Sequence, residues 1–196
     1  MGEFLRNYST MLATVPDRKR TRSLSCMRIE KVVGTGTFGV VYKAVDKTEP
    51  GEPVVALKKI KMERETQGFP VTAIREIKIL KQLRHVNVVA LREIVTYDEG
   101  DETKEPTLLH KDLSLGDVLM VFEFVDFDLA GLLKTPGFSL SSNHIQCYIF
   151  QLLTGLRYLH DQRVLHRDIK TANLLVTRQH VLKIADWGLA RGIGGG

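Results

Sequence analysis

A chain of 196 residues, 43% hydrophobic and 26% charged with a net charge of +5, has the make-up of a soluble globular protein able to bury one sizeable core, which excludes wholesale disorder. The apolar run Leu119-Met120-Val121-Phe122 near the middle stops at Glu123, far short of the roughly 18 apolar residues of a membrane span, so no integral membrane protein is expected. Glu3 and Arg6 interrupt the N-terminal apolar stretch, unlike a secretory signal, and two cysteines, Cys26 and Cys147, make neither a disulfide framework nor a metal site; a reducing intracellular location is expected.

The first 26 residues set Arg6, Arg18, Lys19, Arg20 and Arg22 against only Glu3 and Asp17. Much of the net charge therefore sits in the tail, which argues against a nucleic-acid-binding face on the rest of the chain. The run Arg18-Lys19-Arg20-Thr21-Arg22 reads either as a nuclear-import signal or as a solvated tail. Residues 1–27 are expected to be a basic, disordered tail.

From Arg28 to Ile60 the sequence predicts strands. Ile29, Val32 and Val33, then Val40 to Val45, then Val54 to Leu57 form β-branched runs bounded by Gly, Pro or charge. From Val71 to Leu83 the residues Ala73, Ile74, Ile77, Leu80 and Leu83 recur at spacings of three and four, one face of an amphipathic helix with Pro70 at its mouth. Val88 to Val95 predicts a strand, and Tyr97 to Gly116, polar and without period, an exposed loop. Leu119 to Val125 predicts a further strand, and Leu129 to Leu133 a short helical turn. A long helix from Ser142 to His160 follows, capped by Ser141 or Ser142, with a core-facing stripe of Ile145, Ile149, Leu152, Leu156 and Leu159. Cys147 on this helix is expected to be buried. Leu174 to Val176 and Val181 to Ile184 predict two short strands joined by polar residues. The fold class is α+β: a mostly antiparallel sheet with one helix, then the start of a helical region.

Gly34-Thr35-Gly36-Thr37-Phe38-Gly39 matches G-x-G-x-x-G, a weak signal alone. In a dinucleotide fold the third glycine opens a helix. Here the glycines lead into the β-branched run Val40 to Val45, which favours a strand-turn-strand flap whose N–H groups close over phosphates; a plain hairpin is the simpler alternative. Nineteen positions past Gly39, Lys58 ends the apolar run Val55-Ala56-Leu57. An ammonium there can hold polyphosphate oxygens, oriented by Glu76 on the following helix. Lys59 and Lys61 read as ordinary surface residues. The strongest cluster is His166-Arg167-Asp168-Ile169-Lys170-Thr171-Ala172-Asn173, with Asp186-Trp187-Gly188 eighteen residues beyond Asp168. Phosphoryl transfer needs a carboxylate to receive the hydroxyl proton, oxygen ligands for Mg²⁺, and positive charge near the moving phosphate. Asp168, then Asn173 with Asp186, then Lys170 and Lys58 supply these in order.

On these motifs the sequence resembles the eukaryotic protein kinases from about Arg28 to Arg191. Phe69 to Glu76 is similar to the helix with which cyclin-dependent kinases bind cyclin, and Asp126 to Leu133 is similar to the transcription-associated branch that acts on RNA polymerase II C-terminal repeats. Lys170 is of the serine/threonine-kinase type. The resemblance implies ATP and Mg²⁺ as cofactors, serine or threonine residues of proteins as substrates, cyclin as partner through Pro70 to Glu76, and a nuclear location. It implies a phosphate-covering loop at Gly34, Gly36, Thr37 and Gly39, a gatekeeper at Phe122 and an adenine-binding hinge over Glu123 to Val125. Val33, Val41, Ala56 and Leu175 would contact the base, and Asp128 the ribose. A complete β-rich small lobe with hinge is implied over 28–125 and an incomplete helical lobe over 126–196.

Arg75, Arg167 and Arg191 occupy positions that in cyclin-dependent kinases converge on an activation-segment phosphothreonine, while the sequence ends a few residues past Asp186, so a truncated domain is expected, inactive by itself and with apolar residues of the long helix uncovered. An inactive cyclin- or nucleotide-binding module is the alternative reading. Phe38 stands where many cell-cycle members carry an inhibitory tyrosine, although Thr37 remains available, and Trp187 replaces the usual Phe of D-F-G.

Overall fold

The computed structural model describes residues 22–36, 39–61, 70–98 and 112–194. Their contacts divide into two units, Met1–Val71 with Arg92–Phe122 and Thr72–Leu91 with Glu123–Gly196.

The first unit is a six-stranded sheet. Its strands are β1 (Arg22–Ser23), β2 (Met27–Gly36), β3 (Gly39–Asp46), β4 (Val54–Lys59), β5 (Leu91–Thr96) and β6 (Val118–Glu123), in the order β1-β5-β6-β4-β3-β2. Strands β2, β3 and β4 pair antiparallel, as the β-branched runs predict, and β1 pairs parallel to β5. Because side chains alternate along a strand, Tyr42 and Ala44 on β3 and Val55 and Leu57 on β4 point into one core, where Leu24, Met27, Val95 and Leu119 join them. The residues between them, Val41, Lys43, Ala56 and Lys58, are half-buried on the other face.

Three expectations change here. The tail expected over residues 1–27 ends earlier. Residues 1–21 lie outside the described residues, but Arg22–Ser23 is a strand, Leu24–Cys26 forms a 3₁₀ turn capped by the Ser23 side chain, and Leu24 and Met27 are core residues. Two buried apolar side chains and a clasped arginine outweigh the basic composition that suggested disorder. Lys59 is no ordinary surface lysine. It lies 2.6 Å from Asp117, a buried carboxylate, and also donates to the Asp112 carbonyl. Of the loop expected over Tyr97 to Gly116, residues 99–111 lie outside the described residues, while Leu113 is buried in the sheet core.

In the second unit, α1 (Val71–Gln82) buries Ala73, Ile77 and Leu80, with Leu83 buried just past its end. Of the strand expected from residue 88, only Val88 bridges, to Ile184; regular pairing begins at Leu91. After β7 (Phe127–Asp128) come α2 (Leu129–Lys134), α3 (Ser142–Asp161) and β8 (Val164–Leu165), then a 3₁₀ turn at Thr171–Asn173, β9 (Leu174–Val176), β10 (Leu182–Ile184) and β11 (Arg191–Gly192). Strands β7, β9 and β10 form a small sheet, and β11 pairs with β8.

The long helix α3 is capped by Ser141, whose hydroxyl accepts from the His144 N–H. Its buried residues are Tyr148, Gly155 and Leu159. A side chain at Gly155 would meet Ile184 Cδ1 at 3.0 Å and Asn87 Cβ at 3.2 Å, so the face that packs is the one where glycine allows close approach. The predicted stripe is rotated relative to that face. Leu159 is buried and Leu152 and Leu156 are half-buried, but Ile145 and Ile149 are 49% and 50% exposed. Phe150 and Leu153 are exposed as well, in keeping with the expected uncovered residues. Cys147, expected to be buried, is exposed and accepts from Gln151 Nε2, because it lies off the packed face. Among the described residues no helix is long and apolar enough to cross a membrane.

Arg22 holds β1 to the sheet. Its Nε lies 2.9 Å from Glu93, its Nη2 lies 2.5 Å from Asp46, and its other donors reach Glu93 and Thr48. Burial alone would push the Asp46 carboxyl up, but hydrogen bonds from Arg22 and Thr48 outweigh it and hold it down to about 2. The stability from this lowered pKa is present above the ordinary value of 3.8 and is lost as pH falls through about 2. Arg22→Met removes the cation shared by Asp46 and Glu93 and is expected to cost roughly 3 kcal/mol, measured as a fall in the urea midpoint at pH 7. The variant should also lose less stability than wild type between pH 4 and pH 2; parallel pH profiles would show that the clasp contributes nothing.

Candidate active site

The chemistry-bearing residues after Leu165 gather on one loop and one strand end of the second unit. Asp168 is half-buried, and its Oδ2 receives hydrogen bonds from Lys170 Nζ at 2.8 Å and Asn173 Nδ2 at 2.9 Å. Asn173, buried, also donates to the Asp168 carbonyl at 2.8 Å. The Lys170 hydrogen bond leads in holding the Asp168 carboxyl below its usual range, with Asn173 adding to it against the opposing effect of burial. The group is therefore ionised at neutral pH. With Nδ2 committed to Asp168, the oxygen is the atom of the Asn173 amide that could serve as a ligand.

This loop is clamped to the strand that leads to Asp186. The Ala185 N–H donates to the Asn173 carbonyl at 2.9 Å, and the Ala185 carbonyl lies 2.9 Å from His166 Nε2. His166 Nδ1 accepts from the Asp168 N–H at 3.3 Å. An imidazole that accepts at Nδ1 and donates at Nε2 is the neutral tautomer, and burial, the dominant influence, pushes its pKa down, so the ring stays neutral. Arg167 and Asp186, beside and within this arrangement, have φ of +68° and +63°. Left-handed backbone at non-glycine residues is strained and persists where surrounding bonds enforce it.

Trp187 is buried edge-on to His166, ring centroids 4.9 Å apart, and its indole N–H has no hydrogen-bond partner among the described residues. Arg167 Nε donates to the Leu189 carbonyl at 2.7 Å, and Arg191 Nη1 to its neighbouring Ala190 carbonyl. Arg191 pairs across from Leu165, two residues before Arg167. Arg75 is exposed on α1.

The remaining predicted residues divide between the units. In the first, Gly34 lies opposite Val41, and Val41 opposite Lys58, so these form one row across three strands, with Ala56 on the same face as Lys58. Gly36 pairs with Gly39 and closes the flap as a hairpin, not as a helix start. Gly39 has φ +130°, and a side chain there would come within 2.4 Å of the Lys59 carbonyl, so glycine is required. Val33 is 45% exposed and Phe122 is buried. Thr37 and Phe38 lie outside the described residues. In the second unit, Glu76 is buried on α1, Val125 is buried, and Asp128 and Leu175 face each other across β7 and β9. Asp128 Oδ1 caps α2 by accepting from the Gly131 N–H at 2.6 Å.

The sequence reading assigned no role to His166, Asn87 or Gln151. Asn87, buried, donates to the Leu182 carbonyl at 2.8 Å and to Gln151 Oε1 at 3.0 Å, and Gln151 Oε1 accepts from the Leu182 N–H. These polar residues lie in apolar contexts, between Val86 and Val88 or between Phe150 and Leu152; that interruption was the signal available, since polar groups buried among apolar neighbours are hydrogen-bonded.

The oxygen donors suit Mg²⁺, which takes one or two protein oxygens and leaves the rest to phosphates and water. Asn173 and Asp186 would hold the ion. Among the described residues no group of three or more His, Cys, Asp or Glu is placed to hold a metal.

The sequence profile of the protein kinase domain matches residues 27–196. The chain is 50% identical over 171 residues to cyclin-dependent kinase C-1 of Oryza sativa subsp. japonica, covering 87% of this chain and 33% of that protein. It is 46% identical over 173 residues to cyclin-dependent kinase 11 of Dictyostelium discoideum, covering 88% of this chain and 44% of that protein. To the serine/threonine-protein kinase bur1 of Emericella nidulans it is 46% identical over 177 residues, with 87% and 30% covered. The chain thus spans about a third to under a half of the length of these relatives. By the match that runs from residue 27 to its last residue, the chain belongs to the protein kinase family, on its cyclin-dependent side by sequence likeness.

Proposed function

We propose that the chain carries the nucleotide-binding and proton-accepting machinery of a cyclin-dependent serine/threonine kinase of the transcription-associated kind, nuclear and directed at RNA polymerase II C-terminal repeats. The observation that carries this reading is the ionised Asp168, held by Lys170 and Asn173 and tied through Asn173 to Ala185, the residue before Asp186. Such an arrangement suits phosphoryl transfer, in which the protein acts by positioning and by charge.

Asp168 orients the substrate hydroxyl and accepts its proton, through a carboxylate that hydrogen bonding keeps charged. Lys170, whose ammonium bridges to Asp168 Oδ2, places positive charge where the phosphoryl oxygens pass. Asn173 and Asp186 hold Mg²⁺, which when bound neutralises charge on the phosphates. Lys58 binds phosphate oxygens and Glu76 orients it. Gly34, Gly36, Thr37 and Gly39 form the flap over the phosphates; Val33, Val41, Ala56 and Leu175 contact the base; Phe122, Glu123 and Val125 line its edge, and Asp128 meets the ribose. The Pro70 to Glu76 segment receives cyclin, whose pressure brings Glu76 to Lys58.

In a protein that carries the complete kinase domain, Asp168→Asn should lower kcat on a serine-containing repeat peptide by about 10²–10⁴ with ATP affinity unchanged, whereas Lys58→Met should weaken nucleotide interaction as well as transfer. Both are read from steady-state kinetics with ATP and peptide varied in turn. Equal loss of nucleotide affinity and rate in Asp168→Asn would remove the role given to that carboxylate.

Cyclin added to that full-length protein is expected to raise phosphorylation of the same peptide, and a charge reversal on the exposed face of α1, Arg75→Glu, to reduce that stimulation. Full activity without any partner would refute cyclin dependence while leaving the kinase reading in place.

A further inference from the structure

Lys183 lies on β10, three residues before Asp186 and outside every motif that carries the resemblance. Its side chain is 13% exposed, and Nζ lies 2.9 Å from Glu123 Oε1, whose own side chain is 31% exposed. The same carboxylate oxygen accepts the Ala90 N–H at 2.8 Å, and the Glu123 N–H donates back to the Ala90 carbonyl at 3.2 Å. Glu123 is thus held by both its main chain and its side chain, and Lys183 supplies the charge that keeps the carboxylate in place. Across the small sheet Lys183 pairs with Leu175, which pairs in turn with Asp128. Three residues assigned to the nucleotide, Glu123, Leu175 and Asp128, are therefore connected to this one lysine.

An exposed ion pair would mean little. This one is largely sheltered, and removing the lysine leaves the carboxylate with a single N–H partner, so the anchoring of residue 123 weakens. We infer that Lys183 is a positioning residue for base selection: it fixes the main chain at Glu123 so that the carbonyl and N–H groups of 123–125 read adenine and reject guanine. The inference rests on the nucleotide reading above. Its chemistry is a donor-acceptor match. Adenine presents an amino donor beside a ring-nitrogen acceptor, whereas guanine presents a carbonyl acceptor beside an N–H donor. A rigid main chain that pairs with the first leaves like groups facing each other with the second. A loosened one adjusts, and selectivity falls.

The test uses the purified 196-residue chain with Mg²⁺ and a fluorescent ATP analogue, displaced by ATP or by GTP, with circular dichroism confirming the fold of each variant. Lys183→Met is expected to weaken ATP by about tenfold and GTP hardly at all, collapsing the ATP:GTP preference by the same factor. Lys183→Arg should restore the preference, and Lys183→Met combined with Glu123→Gln should lose no more than the worse single variant. Equal weakening of both nucleotides, or an unchanged preference, would overturn the positioning role alone. Failure of the unmodified chain to bind ATP would overturn the nucleotide reading and this inference with it.

Discussion

Strand β10, three residues long, is bonded on every side, and the placement of the acidic group at 186 depends on it. The Ile184 N–H donates to the Asn87 carbonyl and the Ile184 carbonyl accepts from Val89, while Leu182 is held through both its N–H and its carbonyl by Gln151 and Asn87. On its other edge it pairs with β9. A strand with its polar groups satisfied from α3, from the segment after α1 and from β9 has little freedom to shift, and the residues that follow it inherit that rigidity. Ala185 is clamped by Asn173 and His166, so the loop bearing Asp168 and the segment after β10 that bears Asp186 form one hydrogen-bonded body. Precise placement of this kind is what a reaction driven by electrostatic positioning requires.

The first unit rests on a simpler constraint, the alternation of side chains across the strands. Tyr42, Val55 and Leu57 turned inward oblige Val41, Ala56 and Lys58 to turn outward together. A lysine near the end of an apolar strand is then displayed beside small apolar residues, in the row that runs through Val41 to Gly34. Gly39 belongs to the same economy, since backbone approaches backbone there too closely for any side chain.

Much of this was legible in the sequence because the relevant signals are local. The period of α1, the serine at the start of α3 and the β-branched runs of β2 to β4 each follow from a few adjacent residues. What the sequence concealed depended on partners far along the chain. Arg22 reads as one more basic residue until Asp46 and Glu93 surround it. Lys59 reads as surface until Asp117 is brought 2.6 Å away. The face of α3 that packs is chosen by Gly155 against Ile184 and Asn87 and not by the strongest apolar stripe, so the burial of Cys147 and Ile149 was misread. His166 was visible within its motif, but its neutral bridging role needed Ala185, nineteen residues away.

The most direct measurement of the central claim is paramagnetic broadening of the chain's NMR spectrum by Mn²⁺ added with ATP, Mn²⁺ standing in for Mg²⁺. The account predicts nucleotide-dependent broadening centred on the Asn173 side-chain amide and the backbone amides of Ala185 to Trp187, with Asp168 close behind. Broadening that requires no nucleotide, or that centres on the acidic groups around Arg22 and leaves Asn173 sharp, would contradict it.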